Sequence, residues 1–486
     1  MIQTPHDPAE RARRRAPARS RAALRAAATT LIAAISLLSL GAQAQAPAQE
    51  AAPAPTLAVE HYALDNGMQV LLSQDDRLPV VAVEIRYFVG SAHEVKGRTG
   101  FAHLFEHLMF QGSQHFDNEY FAPFEPIGAQ INGTTSTDRT NYYVRLPSNY
   151  LELALWMESD RMAHLLPALT QEKLDNQRDV VKNERRQSYE NRPYGMVWKY
   201  LTETLFPEGH PYHHPTIGSH ADLTAATLDD VKAFFRQYYV PSNAVITVVG
   251  DFDRAETKAL IEKYFGALPS GARAPTPKAA LPALDGPVHL RSTDQVKLPR
   301  VYLAWVTPAL YAPGDAEMDV LASVLTDGKT SRLYKPLVYD QKVAKDVAAF
   351  QASSQLGSFF VVQATAAPGK TADEVGEALL AALDEATATA PTQDEFDRAL
   401  NGWRKSFYGR VEGVLSRAQL LSTYLHLTGN PDYLQKDLDR YTQLTPKKLH
   451  QAAVRWLRPD RRLRLDIVIG EKSEVATPVV AEEEGE

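Results

Sequence analysis

No cysteine occurs among the 486 residues. That excludes disulfides, thiolate metal ligands and the acylated cysteine of a lipoprotein. A closed structural zinc site prefers cysteine, so a metal in this chain must be held by imidazole and carboxylate. Long apolar runs are scarce too. The uncharged N-terminal stretch Ala26 to Leu40 is too short to cross a bilayer comfortably. Positive charge is also in short supply: 52 Lys and Arg against 59 Asp and Glu leave a formal charge of −7. Such a chain is a poor candidate for nucleic acid or for an anionic membrane surface.

The N-terminus reads as a signal peptide over residues 1–44. Seven Arg and no Lys lie between Arg11 and Arg25, followed by the apolar stretch and then Gly41-Ala-Gln-Ala-Gln-Ala46. A basic region, an apolar region and an A-x-A site place cleavage after Ala44 and predict a periplasmic or secreted protein with no membrane span once processed. Cleavage removes seven Arg together with Asp7 and Glu10, so the charge falls from −7 to −12. Residues 45–56, rich in Ala and Pro, are expected to form a disordered lead-in. Residues 473–486, ending in an acidic run, are expected to form a disordered tail.

What is present is concentrated in Phe101-Ala-His-Leu-Phe-Glu-His-Leu-Met-Phe110. On a helix, His103 and His107 lie roughly 40° apart and about one turn along one face, with Glu106 to the side. Bulky apolar residues surround the trio, so the helix is expected to be buried, and buried ionisable groups need partners. A zinc ion takes neutral imidazoles and keeps a position open for water, whose proton a nearby carboxylate can accept. The order H-x-x-E-H is the inverse of the H-E-x-x-H zinc peptidase motif. By itself it is also compatible with a plain polar helix face.

Along the chain, Asp65-Asn-Gly67 predicts a hairpin. Val80 to Val89 reads as a strand, and Ala129 to Ser136 pairs with Asn141 to Leu146. A helix is expected from Gln171 to Tyr189, ended by Pro193. Glu184 lies on it, 77 residues after His107; taken alone it is one solvated charge among many. Helix Thr227 to Tyr239 leads to strand Ala244 to Val249. Four prolines in 270–287 mark a linker. The layout then repeats: strand Val301 to Val306, helix Met318 to Leu325, strand Ser358 to Ala364, helix Pro446 to Leu457 and strand Arg462 to Ile469. The expected fold is α+β. It has two homologous α/β-sandwich domains from an internal duplication, 57–269 and 288–472, with mixed, mainly antiparallel sheets and the metal motif in the first.

Gly100-Phe-Ala-His-Leu-Phe-Glu-His107, Ile131-Asn-Gly-Thr-Thr-Ser136, Glu184 and Tyr239-Val-Pro-Ser-Asn-Ala244 together resemble the pitrilysin/insulinase family of zinc metallopeptidases. The likeness is greatest to its short, two-domain branch near the mitochondrial processing peptidases. The resemblance implies one Zn2+ per chain, held by His103, His107 and Glu184, with Glu106 as general base. It further implies that Gln130, Ile131, Asn132, Gly133 and Thr134 form an edge strand that takes extended or unfolded peptide by backbone pairing. Gly133 stands where the family usually has Ala. Gln177 stands where a second Glu often helps orient the site, and its amide is expected to tune rather than abolish that role.

One departure is larger. Self-sufficient members carry an Arg and a Tyr seven apart in the second half, and those positions hold Val338 and Lys345 here. Arg332 and Tyr339 have the right separation but come too early, and are read as a surface Arg and a packing Tyr. The expectation is therefore a zinc endopeptidase acting as the catalytic subunit of a dimer. Its homologous partner would lack the zinc motif and supply Arg and Tyr; a homodimer is the alternative. The rival function is a non-catalytic peptide-binding or assembly subunit, against which the intact Glu106 and ligand set argue.

Overall fold

The computed structural model describes residues 57–479. The expected signal peptide, the lead-in at 45–56 and the tail beyond 479 lie outside the described residues.

β1 (Glu60–Ala63) and β2 (Gln69–Gln74) form the expected hairpin, with Gly67 at φ 88°. β3 (Val80–Tyr87) then leads to α1 (Phe101–Leu108), followed by β4 (Gln130–Thr135) and β5 (Thr140–Pro147). Five helices come next: α2 (Leu151–Ala168), α3 (Gln171–Arg185), α4 (Val197–Leu205), α5 (His220–Ala225) and α6 (Leu228–Tyr238). β6 (Ala244–Gly250) and α7 (Arg254–Ile261) complete the first half. Its sheet has the order β1-β2-β6-β3-β5-β4, antiparallel apart from β2 beside β6. β6 is buried at every residue, which is why its run Ala-Val-Ile-Thr-Val-Val does not alternate.

Residues 271–284 carry no helix or strand. The second half then repeats the plan through β7 (Val288–Asp294), β8 (Arg300–Thr307), α8 (Asp315–Thr326), β9 (Ala344–Ala352) and β10 (Ser358–Ala366). It continues with α9 (Ala372–Ala388), α10 (Gln393–Glu412), α11 (Val414–Thr428), α12 (Leu434–Thr442), α13 (Pro446–Trp456), β11 (Leu463–Ile469) and β12 (Thr477–Pro478). The sheet order is β12-β7-β11-β8-β10-β9, again with one parallel pair, β7 beside β11. The fold is α+β with two mixed sheets of matching topology.

The two halves exchange helices. Val197, Leu201 and Leu205 of α4 pack on Tyr302, Ala304 and Leu465 of the second sheet. Ala418, Leu421 and Leu425 of α11 pack on Leu71, Phe88, Val245 and Val249 of the first. Polar groups lock the second contact: Ser422 donates to Glu84 at 2.5 Å and Arg86 to the Gln419 carbonyl at 3.2 Å. Each sheet therefore buries one face against the other half's sequence.

Two expectations need correction. Disorder from residue 473 does not hold for 473–479, because β12 pairs antiparallel with β7 and satisfies its edge. The helix over Gln171 to Tyr189 ends as α-helix at Arg185 and widens into a π turn over Arg186–Glu190. No described helix is long and apolar enough to cross a membrane.

Candidate metal centre

α1 is held from behind by packing. Phe101, Leu104, Phe105 and Leu108 are buried, and the Phe105 ring lies 4.9 Å from Tyr239 and 5.4 Å from Phe234. Its N-terminus has no side-chain cap of the usual kind, since the N-cap is Gly100 at φ 88°. Only glycine fits: a Cβ there would meet the Ile217 carbonyl oxygen at 2.8 Å, in a backbone conformation L residues avoid. The free amides go instead to buried Glu94, which accepts from Gly100 at 2.9 Å and from Ala102 at 2.8 Å. Burial pushes the Glu94 carboxyl up to about 8, against the pull of these donors.

The face of α1 turned away from this packing carries the trio. His103 Nε2 lies 3.6 Å and His107 Nε2 3.3 Å from the same oxygen, Oε2 of Glu184. The two rings are 4.9 Å apart at 80°. Glu184 reaches them because α3 packs against α1, and because Arg185 next to it is anchored. Arg185 is buried, donates to the Gly218 carbonyl at 3.0 Å and pairs with Glu190 at 2.5 Å. Gly218 in turn abuts Gly100. The end of α3 and the start of α1 are thus fixed to one loop. The π turn begins two residues after Glu184, a local widening often found beside functional groups.

Burial, with His107 beside it, pushes His103 down to about 4, so its imidazole is neutral at neutral pH. Glu184 is held below its ordinary value, chiefly by the hydrogen bond from His107. Neutral imidazole and ionised carboxylate are the forms a metal needs. Zinc–ligand distances of about 2.0–2.2 Å at tetrahedral angles separate two ligand atoms by about 3.3–3.6 Å. The observed 3.3 and 3.6 Å match that spacing. The donor types and both histidine–carboxylate separations therefore fit a zinc ion.

Glu106 sits on the same helix, raised above its ordinary value by burial and opposed by the Thr135 hydroxyl, which donates to its Oε2 at 2.6 Å. Thr135 ends β4, the outermost strand of the first sheet. Gln130, Ile131, Asn132, Gly133 and Thr134 all lie on β4, paired on one side with β5. Gly133 lies against Glu106: a Cβ would come to 3.1 Å from Glu106 Cγ. On its other side Glu184 opens onto a cavity of about 410 Å³ that is also lined by Tyr189, Arg300, Tyr302 and Phe350.

Gln177 is not brought to the imidazoles by a hydrogen bond; its amide donates to Asn176 at 2.9 Å. Seven residues put it on the same face of α3 as Glu184 but two turns, about 10 Å, away. Arg332 is not a surface residue. It pairs with Glu395 at 2.8 Å and caps the carbonyls of Ala386, Thr389 and Ala390, whereas Tyr339 is half exposed with its ring 5.9 Å from that of Tyr334. Glu94, Thr135 and Arg185 were not singled out from the sequence.

Residues 69–218 match the family model described as Insulinase (Peptidase family M16). Residues 225–402 match the one described as Peptidase M16 inactive domain. The zinc protease PqqE of Helicobacter pylori is 30% identical over 391 residues, covering 78% of this chain and 87% of that protein. The chain belongs to peptidase family M16, the insulinase family. A probable mitochondrial-processing peptidase subunit beta of Schizosaccharomyces pombe is 24% identical over 413 residues, covering 81% of this chain and 88% of its own. Among solved structures, a protease from Helicobacter pylori superposes with a TM-score of 0.79 at 27% identity, covering 85% of this chain and 100% of that one. A peptidase M16 inactive domain from Pseudomonas fluorescens shares the fold, with a TM-score of 0.76 at 19% identity over 86% of this chain and all of its own.

Proposed function

We propose that this M16 chain is a zinc-dependent endopeptidase acting on extended peptides or unfolded protein segments. The observation that carries the reading is the convergence of two imidazoles on one oxygen of Glu184 at 3.3 and 3.6 Å. Beside them stands a carboxylate that packing and Thr135 hold in place. His103, His107 and Glu184 are the residues that would hold the ion. Zinc bound there supplies a Lewis acid for the scissile carbonyl and lowers the pKa of a water. Glu106, fixed through Oε2 by Thr135, accepts the proton of the attacking water on its other oxygen and returns it to the leaving amine. The free side of β4 pairs with the peptide backbone through residues Gln130 to Thr134, which sets the substrate in extended form next to Glu106.

The partner follows from what the second half lacks. Val338 is partly buried against its own core, and Lys345 is exposed on β9. Arg332 is committed to Glu395. We therefore assign the chain to a dimer with a homologous subunit, consistent with a relative named as a processing-peptidase subunit. The basic, apolar and A-x-A pattern ending at Ala44 supports export to the periplasm or beyond.

The deciding experiment is peptide hydrolysis with Glu106→Gln. The variant is expected to keep its zinc by elemental analysis and to lose about 10²–10⁴-fold in turnover. Unchanged turnover would leave the non-catalytic reading standing. Full activity of the chain alone, unaffected by a co-expressed relative without H-x-x-E-H, would remove the heterodimer.

A further inference from the structure

A second group of metal-ligating side chains stands apart from the M16 triad. His115, Asp160 and His164 place one donor atom each within 4.8 Å of one another. Asp160 is 4% exposed, a carboxylate inside the first half. Its Oδ2 accepts from the Ser113 hydroxyl, and its Oδ1 lies 2.5 Å from His115 Nδ1. The His164 ring stands edge-on to that of His115, with centroids 4.6 Å apart.

The backbone is arranged to make this meeting possible. In a regular helix Asp160 and His164 are simply four apart. Here His164 departs from helical geometry, at φ −124° and ψ 18°, three residues before Pro167. Proline removes the amide its turn needs and crowds the carbonyl four residues back, which accounts for the break. The His164 carbonyl accepts from the Gln114 amide at 2.9 Å. Lys173 pairs with Asp117 at 2.5 Å. The segment that leaves α1 after Gly112 is therefore already clamped to α2 and α3 on both sides of His115.

An ion pair between Asp160 and His115 would need one imidazole. The second imidazole, turned toward the first, adds nothing to that pair and repels it whenever both rings are protonated. A divalent cation reconciles all three, because two neutral imidazoles and one carboxylate are a donor set that zinc, copper and nickel share. The spacing of 2.5 Å is closer than two ligands on one tetrahedral ion, so His115 must withdraw by about 0.8 Å. Its side chain is 51% exposed and free to do so.

We propose that His115, Asp160 and His164 form a second divalent-metal site, for an imidazole-preferring cation. It ties the segment following α1 to α2, independently of the peptidase centre.

Calorimetric titration of the metal-stripped full chain with Zn2+ tests this. The unaltered chain is expected to take up two equivalents and His115→Ala/His164→Ala one. His103→Ala/His107→Ala is expected to take up one, with a thermal midpoint raised by Zn2+, and the chain with all four substitutions none. A single equivalent in the unaltered chain overturns the proposal, as does a second equivalent that survives loss of His115 and His164. Should the His103/His107 variant not fold by circular dichroism, the unaltered chain against His115→Ala/His164→Ala decides alone. An equal count there overturns the site, and loss of one of two supports it. Because the readout is stoichiometry and not hydrolysis, failure here leaves the peptidase reading untouched.

Discussion

The two halves of the chain are built on one frame, and only one of them is furnished with chemistry. α1 and α8 follow the corresponding strands, and each is preceded by a glycine in the left-handed region, Gly100 at φ 88° and Gly314 at φ 105°. Three, six and seven residues past Gly100 come His103, Glu106 and His107. The same steps past Gly314 reach Glu317, Val320 and Leu321. Glu317 turns back to accept from the Gly314 amide at 3.1 Å, and Val320 and Leu321 are buried. α3 and α10 both start from a capping threonine, Thr170 and Thr392. Fourteen residues on, the first has Glu184 and the second an exposed Ser406. The second half shows that this frame closes with apolar residues. Packing therefore does not require the imidazoles and the carboxylate of the first half. Burying them costs stability, and a metal ion, as proposed above, is what would offset that cost.

The sharpest way to break the comparison is to make the first half like the second. Glu184→Ser puts in the residue that α10 carries at the matching step. With two imidazoles left at this centre, zinc content should fall by one equivalent. Hydrolysis should drop by about a thousandfold or more, since several kcal/mol of transition-state stabilisation go with the ion. Far-ultraviolet circular dichroism should be unchanged, because Glu184 is partly exposed and α3 is held by Arg185. Normal zinc content in this variant would remove Glu184 from the ligand set.

The helix exchange predicts the next largest effect, on stability. Leu421 of α11 is 1% exposed and lies against the first half's sheet, and Leu201 of α4 is 1% exposed against the second. Leu421→Ala and Leu201→Ala should each cost about 2–5 kcal/mol. Each should lower the midpoint of one shared unfolding transition in denaturant, because neither half keeps a covered sheet alone. Two separate transitions, only one of them shifted, would show the halves to be independent.

This exchange was also the part of the fold least legible in the sequence. Asp65-Asn-Gly67, the apolar run of β6 and the face of α1 declare themselves locally, through turn chemistry and periodicity, and the repeat of layout was visible from them. Val197, Leu201 and Leu205 declare only that α4 is buried, not against which sheet. β9, Ala-Lys-Asp-Val-Ala-Ala-Phe-Gln-Ala, has few β-branched residues and becomes a strand because β10 pairs with it. In the site, the H-x-x-E-H spacing is carried by one helix and so could be read. Thr135 meets Glu106 across 29 residues of sequence, and Glu94 meets the start of α1 through a loop that no periodicity describes. Such contacts have no signature until the chain is folded.

A smaller effect separates structural from catalytic duty in the second half. The Arg332 guanidinium holds the Glu395 carboxyl down at about 2 from its ordinary 4.5. A carboxyl depressed on folding contributes stability above its unfolded value and loses it as pH falls through the folded one. Glu395→Gln should therefore cost about 1–2 kcal/mol at neutral pH and progressively less between pH 4.5 and 2. Arg332→Ala should destabilise similarly and leave kcat/KM unchanged. A fall in kcat with stability intact would instead place Arg332 at the peptidase centre.

The smallest expected effect concerns Gly133, where the edge strand passes over Glu106, the proposed general base. Its φ is not in the left-handed region, so a side chain there is a question of space and not of strain. A methyl group would meet Glu106 Cγ and Tyr142 Cδ1 at 3.1 Å and Phe110 Cε2 at 3.2 Å. Two of those neighbours are rings in a packed layer, while Glu106 has a flexible stem, so Glu106 is the one to give. A shift of a few tenths of an ångström lengthens its bond to Thr135 and turns the carboxylate out of the position the proposed function requires. Gly133→Ala should lower kcat a few-fold, leave KM and zinc content alone, and lose that effect in a Thr135→Val background, where the carboxylate is no longer fixed. Equal effects in both backgrounds would mean that the methyl acts on the strand and not through Glu106.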